Sequence, residues 1–142
     1  WRLGALIAPA TLTEKMMLLL QTTQSCVSPF IQRAGEAALL GSQRDSVLML
    51  QAYRERRDLL VFGLNSLGLE CGMPGGAFYA FPRLPVGWTD AESFSDFLLY
   101  STDIATLPGT DFGSQGAGHL RMAYCTSTEN IQQALAQMRR VL

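Results

Sequence analysis

The sequence is short of the side chains that most often build metal and nucleophilic sites. Among its 142 residues there is one histidine, His119, and one lysine, Lys15. A lone histidine cannot complete a zinc site when the cysteines are widely scattered. A catalytic lysine needs a desolvated ammonium group, whereas Lys15 follows a predicted helix start and is expected to face water. We therefore predict no metal site and no covalent role for Lys15.

Cysteine is also scarce, and its spacing is not that of a disulfide framework or a metal site. Cys26, Cys71 and Cys125 lie far apart, their number is odd, and no Cys-x-x-Cys pair occurs. This usage favours small, buried, free thiols in a reducing compartment, so we expect a cytoplasmic protein.

Strong net charge and long apolar runs are absent too. The formal net charge is -1 and charged residues make up 16% of the sequence, which argues against nucleic-acid or membrane binding through bulk charge. No window approaches the roughly 18 consecutive apolar residues of a membrane span. The hydrophobic fraction of 48% is enough to build a core. The sequence starts at Trp1 inside a predicted strand, so we expect a fragment or a chain whose earlier part is absent, not a signal peptide.

The first part of the hydrophobic pattern predicts a strand and three helices. Residues 1–8 indicate a buried strand, and a capping box that begins at Thr11 starts an apolar helix. A second helix starts at Ser28–Pro29 and ends at Gly41. Because these elements need another body to pack on, they belong with a larger domain. A third helix over 42–68 would span roughly 38 Å and is expected to bridge two domains.

The remaining residues, 69–142, predict a compact unit with a small sheet and helices on one face. Two strands, LECGM and AFYAFP, flank a turn at Pro74–Gly76. A capping box that begins at Thr89 starts a short helix, strands IATLP and HLRMAYC follow, and a last helix is capped at Thr126. The predicted order is β, three helices, β–β, α, β, β, α, an α/β fold with a mostly antiparallel sheet.

The stretch from Pro108 to Cys125, PGTDFGSQGAGHLRMAYC, contains four glycines followed by one arginine, Arg121. A phosphate-binding loop would have a helix after its glycines, whereas a strand follows here. Glycines in a tight connection supply positive φ angles, and a backbone without side chains also leaves room for a ligand beside Arg121. Alternation places Arg121 opposite Leu120 and Met122. There it either faces solvent or holds a carboxylate through two parallel hydrogen bonds.

Two further residues are candidates for ligand binding. Arg2 lies in the predicted first strand, where its charge needs a partner: a phosphate, a carboxylate, or an acidic side chain in a buried ion pair. Tyr79 lies in Gly75–Pro82, GGAFYAFP, which is either a strand packed on both faces or the wall of a ligand cleft. In the second case the Tyr79 hydroxyl would be a hydrogen-bond donor.

Four segments occur together in the order and spacing of one enzyme family. The chain resembles the C-terminal part of fold-type-I, pyridoxal-phosphate-dependent aminotransferases of classes I and II through WRLGALIAP, YRERRDLLVFGLNSLGLEC, PGGAFYAFP and LPGTDFGSQGAGHLRMAY. The resemblance implies that residues 1–41 end the large cofactor-binding domain, that 42–68 form the bridging helix and that 69–142 form the C-terminal small domain.

The resemblance also implies roles for single residues. Arg2 would bind the phosphate of pyridoxal 5'-phosphate, Arg121 would bind the substrate α-carboxylate, and Tyr79 would lie near the substrate entrance. The reaction would move an amino group between an amino acid and a 2-oxo acid, in a homodimer. The lysine that holds the cofactor would precede Trp1. The resemblance therefore implies no catalytic residue in this chain and no activity of the chain alone.

One departure and two alternatives accompany this interpretation. The family often has a serine two residues after the carboxylate-binding arginine, where this sequence has Ala123. A stand-alone module could bind a small carboxylate through Arg121 without a cofactor. A remnant of the fold could instead self-associate through the apolar surface of Met16–Leu20.

Overall fold

The computed structural model describes residues 2–142. Its internal contacts divide the chain into two units, one ending at Val47 and the other formed by Leu48–Leu142. The division falls inside a long helix, within the segment 42–68 that was predicted to bridge two domains.

The first unit contains two helices and an irregular leading segment. Helix α1 is Ala10–Thr23 and helix α2 is Pro29–Leu40. The predicted strand over 1–8 is wrong for residues 2–8, which have no regular secondary structure; Trp1 lies outside the described residues. A strand needs a neighbour to accept its backbone hydrogen bonds, and no other strand occurs in the described part of this unit.

Two of the three helix signals in the first unit agree with the structure. Helix α2 has Pro29 in its first turn, and Gly41 ends it. The capping box at Thr11 is wrong, because Pro9 holds the cap position of α1 and no side chain caps the helix. The Thr13 hydroxyl instead donates to the carbonyl oxygens of Ala8 and Pro9, at 3.2 Å each. Neither helix contains a buried residue.

Helix α3, Arg44–Ser66, is the longest element, as predicted. Its 23 residues extend over about 35 Å at the usual rise per residue. The buried residues of α3 all lie in its C-terminal third: Leu60, Val61 and Leu64.

The second unit contains the sheet and two further helices. In chain order these elements are β1 (Tyr79–Ala80), α4 (Ala91–Thr102), β2 (Leu107–Pro108), β3 (Leu120–Ala123) and α5 (Thr128–Val141). The three strands lie in the order β1-β3-β2, and both pairs are antiparallel. The α/β fold with a small antiparallel sheet is therefore confirmed.

One cluster of buried side chains joins the helices of the second unit to the sheet. Phe94, Leu98 and Met138 come from helices and are fully buried, and Leu120 of the central strand is buried with them. Because Leu120 and Met122 are buried while Ala123 is exposed, the helices cover one face of β3.

The predicted hairpin of LECGM and AFYAFP is wrong in its first arm, because residues 69–73 form no strand. The Asn65 side chain bonds the backbone of Cys71 instead: its amide nitrogen donates to the Cys71 carbonyl oxygen at 2.9 Å, and its oxygen accepts from the Cys71 backbone N–H at 3.1 Å. A side chain that bonds the backbone in this way takes the place of a ladder partner.

The helix starts of the second unit are displaced by one residue from the prediction. Asp90, not Thr89, caps α4 by accepting a hydrogen bond from the Ser93 backbone N–H at 2.9 Å. Ser127, not Thr126, caps α5 by accepting from the Asn130 backbone N–H at 3.2 Å. Between residues 2 and 142, no helix combines the length and apolar character that crossing a membrane would require.

Candidate functional site: an arginine between aromatic rings

Arg121 occupies the middle of the central strand on the face that the helices do not cover. Leu120 and Met122 are buried on the other face, so the predicted alternation is confirmed. Arg121 itself is half-buried. Its backbone pairs with Leu107 of β2.

Two aromatic rings surround the Arg121 guanidinium. Its central carbon lies 3.8 Å from the centroid of the Phe112 ring and 4.4 Å from the centroid of the Tyr79 ring. At such distances a cation is attracted by the negative face of each ring. The contact fixes the guanidinium through its faces and leaves the N–H groups at its edge available.

No acidic side chain compensates this charge in the part of the chain that the structure describes. Ion pairs within 4.0 Å form at Arg33, Arg57 and Arg83, but not at Arg121. A guanidinium presents five N–H donors in a planar fork that matches the two oxygens of a carboxylate. The arrangement can therefore receive an anion from outside the described residues.

The glycine stretch forms a tight corner that delivers Phe112 to Arg121. Gly109 donates its N–H to the His119 carbonyl oxygen at 2.8 Å, and a Cβ at Gly109 would lie only 2.3 Å from the Gly116 carbonyl oxygen. Gly113 has a φ of 120°, in the region that favours glycine. The expectation of a tight connection with positive φ angles is confirmed, whereas space for a ligand beside the glycines stays a prediction.

Phe112 is a site residue that sequence reasoning missed. It ends a short 3-10 turn, Gly109–Phe112, directly after the β2 strand. The signal available in the sequence was a single aromatic residue within a polar, glycine-rich loop. In the structure Phe112 is 47% exposed.

Tyr79 is brought to Arg121 by strand pairing. It is opposite Ala123 in the β1–β3 register and is half-buried. Its ring contacts both the Arg121 cation and the Phe78 ring, whose centroid is 4.5 Å away. The structure thus places the Tyr79 ring at the guanidinium, while the predicted role of its hydroxyl as a ligand donor stays a prediction.

Hydrogen bonds outside the strand hold the segment that precedes Tyr79. The Tyr124 hydroxyl donates to the Ala77 carbonyl oxygen at 3.0 Å, and burial raises the pKa of Tyr124. An Arg57 N–H donates to the Pro74 carbonyl oxygen at 3.2 Å, while Asp58 accepts from the same guanidinium at 2.8 Å. These bonds limit the freedom of the loop from which β1 begins.

Arg2, the predicted phosphate ligand, belongs to the first unit. It is exposed and has a φ of 63°, so the prediction that it lies in a buried strand is wrong. No carboxylate lies within 4.0 Å of it among residues 2–142, which leaves its charge free for an anion. It lines a cavity of about 430 Å³ with Gly4 and residues of α2. Lys15 is exposed on α1, as expected.

The cysteines differ from the expectation of buried thiols. Cys71 is buried, and burial raises the pKa of its thiol, which disfavours the reactive thiolate. Cys26 and Cys125 are exposed, so the expectation is wrong for them. No group of three or more potential metal ligands occurs within the described residues 2–142.

Known proteins resemble the chain in both sequence and fold. The model of the family "Aminotransferase class I and II" matches residues 1–138. The Bacillus subtilis protein YugH is 40% identical over 142 residues, and an aspartate aminotransferase of Pyrococcus abyssi is 35% identical over 144 residues; each alignment covers 100% of this chain and 37% of the relative.

A solved structure agrees with these sequence relatives. The crystal structure of an aromatic aminotransferase from Pyrococcus horikoshii matches with a TM-score of 0.87 and 36% identity, over 95% of this chain and 37% of that one. The chain thus spans little more than a third of the length of the relatives it matches. It belongs to the class I and II aminotransferase family.

Proposed function

We propose that this chain is the C-terminal part of a pyridoxal-phosphate-dependent aminotransferase and that Arg121 binds the α-carboxylate of the substrate. The parent enzyme moves an amino group between an amino acid and a 2-oxo acid. Family membership supports the reaction class. One observation supports the role of Arg121: its guanidinium lies over two aromatic rings and has no acidic partner among residues 2–142.

The carboxylate role follows from the shape of the donor group. An amino acid and a 2-oxo acid share one feature that does not change in the reaction, the planar α-carboxylate. A fixed guanidinium binds such a group through two parallel hydrogen bonds and so orients the adjacent carbon. Binding both substrates by their common end allows one site to serve both directions of the transfer.

The chain fits one end of the cofactor. Pyridoxal phosphate carries a phosphate dianion, and the exposed guanidinium of Arg2, which no acid neutralises within the described residues, matches it in charge. When bound, the cofactor supplies the electron sink for chemistry at the α-carbon. We assign to Arg2 the binding of the phosphate alone.

The remaining functions of the site are proposed to lie outside this chain. Lys15 is exposed and therefore lacks the desolvation that a lysine nucleophile requires. From the resemblance to the family, we place the lysine that holds the cofactor before residue 1. We propose accordingly that the 142 residues alone do not transaminate, and that the parent enzyme is a cytoplasmic homodimer. Residues 1–41 would end its large domain, and 69–142 would form its small domain.

The test replaces Arg121 in the full-length protein that carries this chain. We expect Arg121→Gln to raise the KM for amino acids about 100-fold, because it removes a charge-assisted double hydrogen bond. The KM is read from initial rates of amino-group transfer at varied amino-acid concentration. Arg83→Gln is the matched control, since Arg83 is an exposed arginine on the neighbouring edge of the sheet, paired to Glu70 at 3.6 Å. Equal KM values for the two variants would refute the role of Arg121.

The same guanidinium favours one second candidate, a module that binds a small carboxylate without a cofactor. Calorimetry of the 142-residue chain with propanoate separates the two proposals. Heat of binding that disappears in Arg121→Gln would favour the module, whereas carboxylate binding seen only in the cofactor-loaded, full-length protein would favour the aminotransferase.

A further inference from the structure

We infer that Phe112 is a positioning residue for the carboxylate-binding guanidinium: its ring holds the plane of Arg121 so that the N–H fork is preset for the ligand. This inference rests on the proposed function of Arg121.

Phe112 is the nearer of the two rings, with its centroid 3.8 Å from the central carbon of the guanidinium against 4.4 Å for Tyr79. A ring over the face of a guanidinium attracts the cation without using its in-plane N–H donors. The contact therefore restricts rotation of the side chain while leaving the donors free for a carboxylate.

The core of the second unit does not account for the placement of Phe112. Its side chain is 47% exposed and does not belong to the buried cluster of the second unit. Besides Arg121, its ring contact is with Phe81, at a centroid distance of 6.5 Å. An aromatic residue in a polar loop with so little burial contributes mainly through these few contacts.

The loop that carries the Phe112 ring is held by backbone hydrogen bonds. Gly113 donates to the Thr110 carbonyl oxygen at 3.1 Å, Gly116 donates to the Gly113 carbonyl oxygen at 2.9 Å, and Gly109 donates to the His119 carbonyl oxygen at 2.8 Å. These bonds fix Phe112 relative to β3. A preset donor pair gains affinity because binding no longer has to order a flexible arginine.

The experiment measures propanoate binding to the full-length, cofactor-loaded protein by calorimetry. We expect Phe112→Leu to weaken binding roughly three- to tenfold, because the ligand must then order a guanidinium that the Phe112 ring no longer holds, at a cost comparable to one cation–π contact at a partly exposed site. Phe112→Trp keeps a π face and should restore binding to within about twofold. Phe81→Leu is the matched control: its ring is similarly exposed, at 38%, and it contacts Phe112 but is not stacked on the cation.

A spectroscopic readout tests whether the Phe112 ring lies over the Arg121 guanidinium in solution. With ¹⁵N-labelled arginine, the Arg121 Nε–H proton, identified by its loss in Arg121→Gln, should move downfield in Phe112→Leu and stay in place in Phe81→Leu, because only the first removes the ring current. An unmoved Arg121 signal, propanoate affinity no lower than that of Phe81→Leu, or no recovery in Phe112→Trp would each overturn the inference.

Arg121→Gln distinguishes this failure from failure of the proposed function. If Arg121→Gln binds propanoate as tightly as the wild type, the carboxylate role is wrong and the role of Phe112 is overturned with it. If Arg121→Gln loses propanoate binding while Phe112→Leu retains it, the carboxylate role stands and only the positioning role of Phe112 is wrong.

Discussion

At the residue scale, two arginines of the second unit differ in what surrounds their guanidinium groups. Arg57 is satisfied within the protein, by Asp58 and the Pro74 carbonyl oxygen. Arg121 meets aromatic faces instead, and no acid approaches it among residues 2–142. An internal acid would compete with an incoming carboxylate for the same donors, whereas an aromatic face would not.

The first prediction separates the ring of Tyr79 from its hydroxyl. The structure places the ring against Arg121, so Tyr79→Phe should leave carboxylate affinity within about twofold of the wild type. Tyr79→Leu, which removes the π face, should weaken affinity roughly threefold or more. Propanoate calorimetry on the full-length protein measures both. A large loss in Tyr79→Phe would show that the hydroxyl binds the ligand, as the sequence suggested.

At the element scale, the sequence predicted helices and strands well where the hydrophobic periodicity agreed with the residues that start or end an element. Helix α3 shows this: an apolar repeat between a polar start and Gly68 gave nearly the observed bounds. The strand β3 was equally clear, because in the alternation of Leu120, Arg121 and Met122 only the face with Leu120 and Met122 is apolar enough to be buried.

The elements that failed depended on partners distant in sequence. The segment 69–73 has an apolar pattern typical of a strand, but at its centre the Asn65 side chain takes the backbone hydrogen bonds of Cys71. No local signal distinguishes that outcome from a hairpin. The position of Phe112 over Arg121 likewise depends on the close approach of Gly109 to Gly116, which the sequence shows only as a group of glycines.

The second prediction concerns the cap of helix α4. The Ser93 hydroxyl and the Ser93 backbone N–H both donate to the Asp90 carboxylate and lower its pKa. A carboxyl whose pKa is lowered in the folded state stabilises the fold at pH values above its ordinary pKa, near 3.8. That stabilisation is lost as the pH falls through the lower, folded pKa.

Asp90→Asn provides the measurement, because asparagine accepts the same cap hydrogen bonds without titrating. We expect the free energy of unfolding, from urea titrations between about pH 5 and pH 2, to fall more steeply for the wild type than for Asp90→Asn. Ser93→Ala, which removes the hydroxyl donor, should have an intermediate slope. Parallel curves for the wild type and Asp90→Asn would mean that Asp90 does not carry this pH dependence.

At the scale of the whole molecule, the two units differ in how they could be stable. The second unit contains the buried cluster, with fully buried side chains such as Phe94, Leu98 and Met138. In the first unit, α1 and α2 contain no buried residue, and large apolar side chains such as Leu18 and Leu39 are exposed at 66% and 81%. Helices of 14 and 12 residues are marginal in water without packing.

The third prediction follows from this difference and is tested by amide hydrogen exchange on the 142-residue chain. We expect strong protection in α4, β3 and α5, whose amides exchange only when the buried cluster unfolds. The amides of α1 and α2 should be nearly unprotected. Leu98→Ala, a cavity in the cluster that costs roughly 2–5 kcal/mol, should lower protection throughout Leu48–Leu142 and leave α1 and α2 unchanged. In a longer protein that carries this chain and covers its apolar helices, protection of α1 and α2 should rise. Uniform protection across both units of the short chain would instead mean that other copies of the chain cover the apolar helices, as in the self-associating alternative. Protection would then depend on protein concentration.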